Sequence, residues 1–127
     1  MTALGGRRVH VIDDDQVVLE STAFLLRTLG FQCQTFVSPR SFLARAAKLA
    51  PGCVLTDLRM PGMDGFALAA ALREQRVAWP ILLMTSDNGP ELARRASGQG
   101  FAALLRKPVD AAQLEGALAR AFGTFES

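Results

Sequence analysis

Four short apolar runs in this chain of 127 residues each lead into a side chain capable of chemistry. Asp13 and Asp14 follow Val9–Ile12, Asp57 follows Cys53–Thr56, Thr85 follows Ile81–Met84, and Lys107 comes just after Ala102–Leu105. Three carboxylates, a hydroxyl and an ammonium suit two tasks. A hard divalent cation such as Mg2+ takes oxygen ligands, commonly one or two carboxylates with phosphate oxygens and water. A carboxylate is also a nucleophile that forms acyl phosphates. Phosphoryl transfer then needs mainly positioning and charge neutralisation. Three ionised carboxylates are balanced by one ammonium and one divalent cation, so a phosphoryl group would meet a neutral site.

None of these residues makes the case alone. A carboxylate where a strand gives way to a helix caps the helix and meets its dipole. Asp15 can do that, but capping does not explain three acids in a row. Asp is common in turns, yet Asp57 directly follows its apolar run and the turn residues come four positions later. Asp64 fits an ordinary loop or cap. Thr85 is a bland strand residue by itself, and Lys107, before Pro108, a bland surface lysine. Their force comes from convergence.

The elements that would make them converge are legible from periodicity. Short apolar runs separated by helical stretches predict buried parallel strands. The pattern gives β1 at about Arg8–Ile12, α1 at Gln16–Leu29, β2 at Gln32–Phe36 and α2 from Ser38-Pro39 to about Leu49. It continues with β3 at Cys53–Thr56, α3 at Gly65–Gln75 and β4 at Ile81–Thr85. Last come α4 at Glu91–Gln99, β5 at Ala102–Arg106 and α5 at Ala111–Phe122. Val18, Thr22, Leu25, Leu26 and Leu29 form the expected apolar stripe of α1, with Phe24 at its edge. Gly30 stops that helix. Ser38 caps α2 with Pro39 at its first position, and Asp110 with Gln113 makes a capping box for α5. Strict strand–helix alternation predicts an α/β fold with helices on both faces of a parallel sheet. In such sheets ligands bind at the carboxyl ends of the strands, where all the singled-out residues fall.

Composition agrees with one domain spanning residues 1–127. Half of the residues are hydrophobic, and no segment reaches the roughly 20 apolar residues of a membrane span. The start, from Met1 to Arg8, lacks the apolar core of a signal peptide, so the expectation is a soluble, cytoplasmic protein. A net charge of +2 does not identify a nucleic-acid binder. Arg7-Arg8 and Arg94-Arg95 read as solvated surface charge. Cys33 and Cys53 lack metal-ligand spacing. If their strands flank β1 they lie roughly 9–10 Å apart, too far for a disulfide. His10 reads as a strand residue with a satisfied hydrogen bond.

Taken in order, Val11-Ile12-Asp13-Asp14-Asp15, Thr56-Asp57-Leu58-Arg59-Met60-Pro61-Gly62-Met63-Asp64-Gly65, Leu83-Met84-Thr85-Ser86 and Arg106-Lys107-Pro108 resemble bacterial response-regulator receiver domains. The likeness runs from about Arg8 to Phe122. Around Ser21–Leu26 and Asp57–Pro61 the texture is similar to regulators of the FixJ type, whose receivers usually precede a DNA-binding domain.

The resemblance implies a flavodoxin-like five-stranded sheet in the order 2-1-3-4-5 and a phosphorylation-dependent switch in a two-component system. It makes Asp57 the phosphoacceptor. It makes Asp14 and Asp57 side-chain ligands of Mg2+ (or Mn2+), Arg59 a ligand through its backbone carbonyl, and Asp13 a helper through water. Lys107 would contact the phosphoryl group, and the Thr85 hydroxyl would turn toward it. The Lys107–Pro108 bond would be cis. Arg59 and Asp87 would flank the pocket mouth and influence phosphate lifetime. The implied partners are a sensor histidine kinase or phosphotransfer protein and, after phosphorylation, a second copy through the α4-β5-α5 face. Direct nucleic-acid or membrane contact is not implied for this domain. One departure stands out. The family commonly has an aromatic residue three positions before the lysine, and here that residue is Leu104. Phe101 is the nearest aromatic, and strand alternation predicts that it points to the opposite face.

Two other functions fit parts of the pattern. A metal-dependent hydrolase could use Asp57 as its nucleophile, but it needs a substrate-enclosing cap and these loops are short. A receiver-like domain that no longer takes phosphate would not need the whole constellation.

Overall fold

The computed structural model describes residues 7–87 and 89–126, with side chains described as far as residue 123. Five parallel strands lie in the order β2-β1-β3-β4-β5. They span Arg8–Ile12, Gln32–Phe36, Cys53–Asp57, Ile81–Thr85 and Ala103–Arg106. The helices are α1 Gln16–Thr28, α2 Pro39–Arg45, α3 Gly65–Glu74, α4 Pro90–Gly98 and α5 Ala111–Glu126. This is the expected flavodoxin-like architecture.

Alternation along the strands divides the interior in two. Val9, Val11, Cys53, Leu55, Leu82 and Met84 face α1 and α5, where they meet Leu19, Leu26, Leu114 and Leu118. Ile12, Val54, Ile81 and Leu83 face the other way, onto Phe42, Phe66, Leu68 and Leu72. At about 25 cal/mol per Å2 of apolar surface, each fully buried leucine contributes on the order of 2 kcal/mol. The shared strand ends are thus rigidly held.

Several boundaries differ from the sequence expectation. α1 buries Leu19, Thr22, Ala23 and Leu26, while Val18, Leu25 and Leu29 are half-buried and Phe24 is 71% exposed. The helix is turned relative to the expected stripe. α2 ends at Arg45 and tightens into a 3-10 turn over Ala46–Lys48, closed by the Leu49 N–H on the Ala46 carbonyl. β3 includes Asp57, which lies opposite Met84 in the β4 register. α5 continues to Glu126, since Gly123 weakens a helix without ending it. Phe101 precedes β5, so strand alternation does not govern it. It packs edge-on to Phe66 in the same core face that Leu104 borders.

Capping follows the sequence. The Asp15 carboxylate accepts from the Val17 and Val18 N–H groups, Ser38 from Ser41, Asp64 from Ala67 and Asp110 from Gln113. Cys33 and Cys53 both lie opposite Val9, on the two sides of β1, and both are free thiols. His10 is fully buried, stacks on Trp79 and bonds the Ala50 carbonyl through Nε2, but its Nδ1 has no partner. Burial first, then Arg8 and Arg45, hold its pKa below the ordinary value against the pull of the Ala50 carbonyl.

Three helices end in the same crossed pair of hydrogen bonds. Gly30 and Phe31 close α1 on Arg27 and Leu26, Gly100 and Phe101 close α4 on Ser97 and Ala96, and Arg76 and Val77 close α3 on Arg73 and Leu72. Each requires a left-handed residue. Gly30 and Gly100 take it at φ 97° and 84°, but at α3 it falls on Arg76, at φ 61°. Left-handed backbone costs a non-glycine residue about 1–2 kcal/mol, against the glycine entropy of about 0.5–1 kcal/mol. Arg76→Gly is therefore expected to stabilise the fold by about 0.5–1 kcal/mol. Denaturant unfolding would register this as a higher midpoint at unchanged slope, and a lower midpoint would refute it.

Candidate functional site

The site is assembled from the ends of four strands, β1, β3, β4 and β5, and the turns beyond them. Asp13 leaves β1 with its N–H on the Phe36 carbonyl of β2, and its own Oδ1 accepts the Asp15 N–H at 3.0 Å. Asp57 closes β3, and the next residue, Leu58, bonds the Met84 carbonyl of β4. Beyond Thr85, the Lys107 N–H bonds the Thr85 carbonyl. The backbone ladder thus reaches into the pocket and sets where each side chain starts.

Gly65 lets α3 approach. Its N–H bonds the Leu58 carbonyl at 2.8 Å, and a Cβ there would sit 2.6 Å from the Leu83 side chain and 3.2 Å from the Asp57 carbonyl. Only a residue without Cβ permits that contact.

Carboxylate oxygens of Asp13, Asp14 and Asp57 lie within 4.8 Å of one another, with Asp13 and Asp57 buried and Asp14 exposed. The Lys107 ammonium lies between two of them, 3.0 Å from Asp13 Oδ2 and 3.2 Å from Asp57 Oδ2, and its side chain is only 18% exposed. The Lys107–Pro108 peptide is cis. Burial, then the Asp13 charge, raises the Asp57 pKa above the ordinary carboxylate value, opposed by Lys107 and by the Arg59 backbone N–H. Burial disfavours the Lys107 ammonium, but Asp13 and then Asp57 overrule it and its pKa stands above the ordinary value. Three carboxylates against one ammonium leave two negative charges uncompensated when all are ionised. A divalent cation with oxygen ligands fits that donor set.

Every residue expected at the site is found at this edge. Thr85 is buried, and its Oγ1 accepts the Asp87 N–H at 3.0 Å. Arg59 and Asp87 form the expected pair across the mouth, with 2.6 Å between Nη2 and Oδ2. Arg106 is the residue the sequence reading passed over: its Nη1 donates to the Asp87 carbonyl at 2.6 Å. The available signal was its place at the end of the β5 run, beside Lys107. Of the two arginine pairs, Arg94 does pair at the surface with Glu91, but Arg95 lies over the Phe66 ring at 3.8 Å. It helps pack α4 onto α3. Beside the pocket, a groove of about 670 Å3 runs from Lys107, Pro108 and Val109 to Val18 and Leu25 of α1, with exposed Val17 and Phe24 on its wall.

The response regulator receiver domain family model matches residues 9–119. The chain belongs to this family. Among curated proteins it is 38% identical over 115 residues to the transcriptional regulatory protein FixJ of Azorhizobium caulinodans, covering 91% of this chain and 54% of that protein. It is 34% identical over 113 residues to the tetrathionate response regulatory protein TtrR of Salmonella typhimurium, covering 89% and 55%. The chain therefore spans about half the length of the curated relatives it matches. Among solved structures, the crystal structure of FixJ-N superposes with a TM-score of 0.83 at 32% identity, covering 91% of this chain and 92% of that one. The receiver is thus of the FixJ-like kind, a signalling module of a two-component response regulator whose relatives are transcriptional regulators. Among its described residues no helix is long and apolar enough to cross a membrane.

Proposed function

We propose that residues 1–127 form one receiver domain in which Asp57 accepts a phosphoryl group from a histidine kinase or phosphotransfer protein. The observation that carries this reading is the Lys107 ammonium shared between buried Asp13 and Asp57. Asp57 Oδ attacks the phosphorus, the bond from phosphorus to the donor breaks, and the donor leaves with the electron pair. Lys107 stays beside the phosphoryl oxygens and offsets their charge. Asp14 and Asp57 would hold Mg2+, or Mn2+ in its place, together with the Arg59 carbonyl, and Asp13 would act through water. Bound there, the metal supplies charge stabilisation to the phosphoryl oxygens. The Thr85 hydroxyl, one residue beyond the position opposite Asp57, would turn to the new phosphoryl group.

The apolar groove beside Lys107 supports a docking donor rather than a small free substrate. Connections at this edge cover residues 13–15, 37–38, 58–64, 86–89 and 107–110, and among the described residues these are too short to enclose a substrate as a hydrolase requires. The relatives are regulators, which supports a cytoplasmic switch acting on transcription through a segment outside this chain. Homodimerisation through α4, β5 and α5 is the form of output that the resemblance favours.

Metal binding is the direct test. At 100 times its Kd, Mg2+ stabilises the protein by about 2.7 kcal/mol. Asp14→Ala is expected to weaken Mg2+ binding by about 100-fold or more, beyond what outer-shell changes usually cost. At the same Mg2+ concentration the stabilisation then falls to about 0.4 kcal/mol or less, and the thermal shift shrinks accordingly. An unchanged shift in the variant would overturn the ligand assignment.

A further inference from the structure

Asp87 is held at three points, and each leads somewhere different. Its N–H donates to Thr85 Oγ1 at 3.0 Å, its carboxylate meets Arg59 at 2.6 Å, and its carbonyl accepts from Arg106 at 2.6 Å. Asp87 lies two residues beyond the end of β4, in the connection that leads toward α4. Arg106 lies opposite Thr85 in the β4–β5 register, and paired residues of a parallel ladder share a face. Leu104, two residues earlier, is on the same face and has no polar atom to offer. At this edge of the sheet, then, the polar reach from β5 toward Thr85 comes from Arg106.

We infer that Arg106 is a positioning residue: by holding the Asp87 carbonyl, it keeps the Asp87 N–H on Thr85 Oγ1 and the Thr85 hydroxyl away from the acceptor. This rests on the reading of Asp57 as acceptor and Thr85 as the residue that turns to the phosphoryl group. When the hydroxyl turns, the Asp87 N–H loses its acceptor. The Arg106 contact resists that loss, since a held carbonyl limits the rotation of the Asp87 backbone that would carry its N–H off the hydroxyl. Arg106 therefore stabilises the resting arrangement, and its free-energy contribution is a tax on the phosphorylated one. Hydrogen bonds from charged donors are strong enough to matter, although exposure reduces their net value.

The sign of the effect separates this role from simple electrostatics. Arg106 is a cation near a site for an anionic group, so by field alone its removal would weaken binding of a phosphoryl mimic. The latch predicts the opposite. Beryllofluoride in the presence of Mg2+ is titrated into the unaltered chain and into Arg106→Met, Arg106→Gln and Arg106→Lys, following binding by 19F NMR. Arg106→Met is expected to bind the mimic about 5-fold more tightly, with Arg106→Gln changed in the same direction. Arg106→Lys, which keeps charge and donor, should return toward the unaltered value. In a Thr85→Ala background, the Arg106→Met gain should vanish because the Asp87 N–H has no hydroxyl to hold. Unchanged or weaker binding in both Arg106→Met and Arg106→Gln would overturn the latch, as would the same gain without the Thr85 hydroxyl. Failure of the unaltered chain to bind beryllofluoride would instead overturn the acceptor reading on which the latch rests.

Discussion

Asp57→Asn is expected to abolish acceptance of phosphate from acetyl phosphate in the presence of Mg2+ while leaving the fold intact. The amide keeps the shape of the side chain at the end of β3, but it is not a nucleophile toward phosphorus. Intact-mass measurement would show the phosphorylated species in the unaltered chain and only the starting mass in the variant. Labelling of the variant at the unaltered level would move the acceptor elsewhere. A second consequence follows from the charge around Asp57. Burial first, and then Asp13, lift its carboxyl above the ordinary value of 3.8. A carboxyl with a raised folded pKa favours the fold below its unfolded value, and that contribution is lost as pH rises through the folded one. At neutral pH the ionised Asp57 therefore costs stability that the neutral amide does not. Without divalent metal, Asp57→Asn should melt at a higher temperature than the unaltered chain at pH 7. The difference should narrow as pH falls into the carboxylate range. A variant that melts lower at pH 7 would contradict this account of the site.

Lys107→Met is expected to move two readouts in opposite directions. The phosphorylation rate from acetyl phosphate should fall by about 10²-fold, the order of effect from losing one preorganised charge at a transition state. Mg2+ affinity should rise, because the ammonium offsets the charge of Asp57, a proposed ligand, and of Asp13, which would meet the metal through water. Removing it also leaves buried Asp13 without its ion partner, so the metal-free variant should be less stable. Saturating Mg2+ should recover part of that loss, since the cation meets the same carboxylates. If rate and metal affinity fell together, Lys107 would be holding the pocket's shape rather than its charge. If neither changed, the ammonium would have no part in the chemistry.

The polar edge of the sheet was legible because it follows from a general rule applied to particular residues. Val9–Ile12, Cys53–Thr56 and Ile81–Met84 are too short and too apolar for anything but buried parallel strands. The polar group after each run then had to lie at one edge. Local contacts were legible for the same reason: Asp15, Ser38, Asp64 and Asp110 cap helices within three residues of their own positions. The order and spacing of these segments also carried the family, which the comparisons bear out.

Tertiary structure decided what periodicity leaves degenerate. Along α1, Val18, Leu25 and Leu29 form one apolar stripe, and Leu19, Ala23 and Leu26 form another beside it. Packing against the sheet and α5 selected the second and left Phe24 at the surface. The same holds for Phe101, whose side was set by Phe66 rather than by strand alternation. The Lys107 ammonium and Asp13 meet across 94 positions of sequence, and Arg106 finds the Asp87 carbonyl only through the register of β4 against β5. The sequence by itself determined which chemical groups stand at the edge of the sheet, because burial dictates strands and strands dictate an edge. Which groups touch, and so how charge is shared and how Thr85 is held, was decided by strand register and helix rotation, distances that no local pattern encodes.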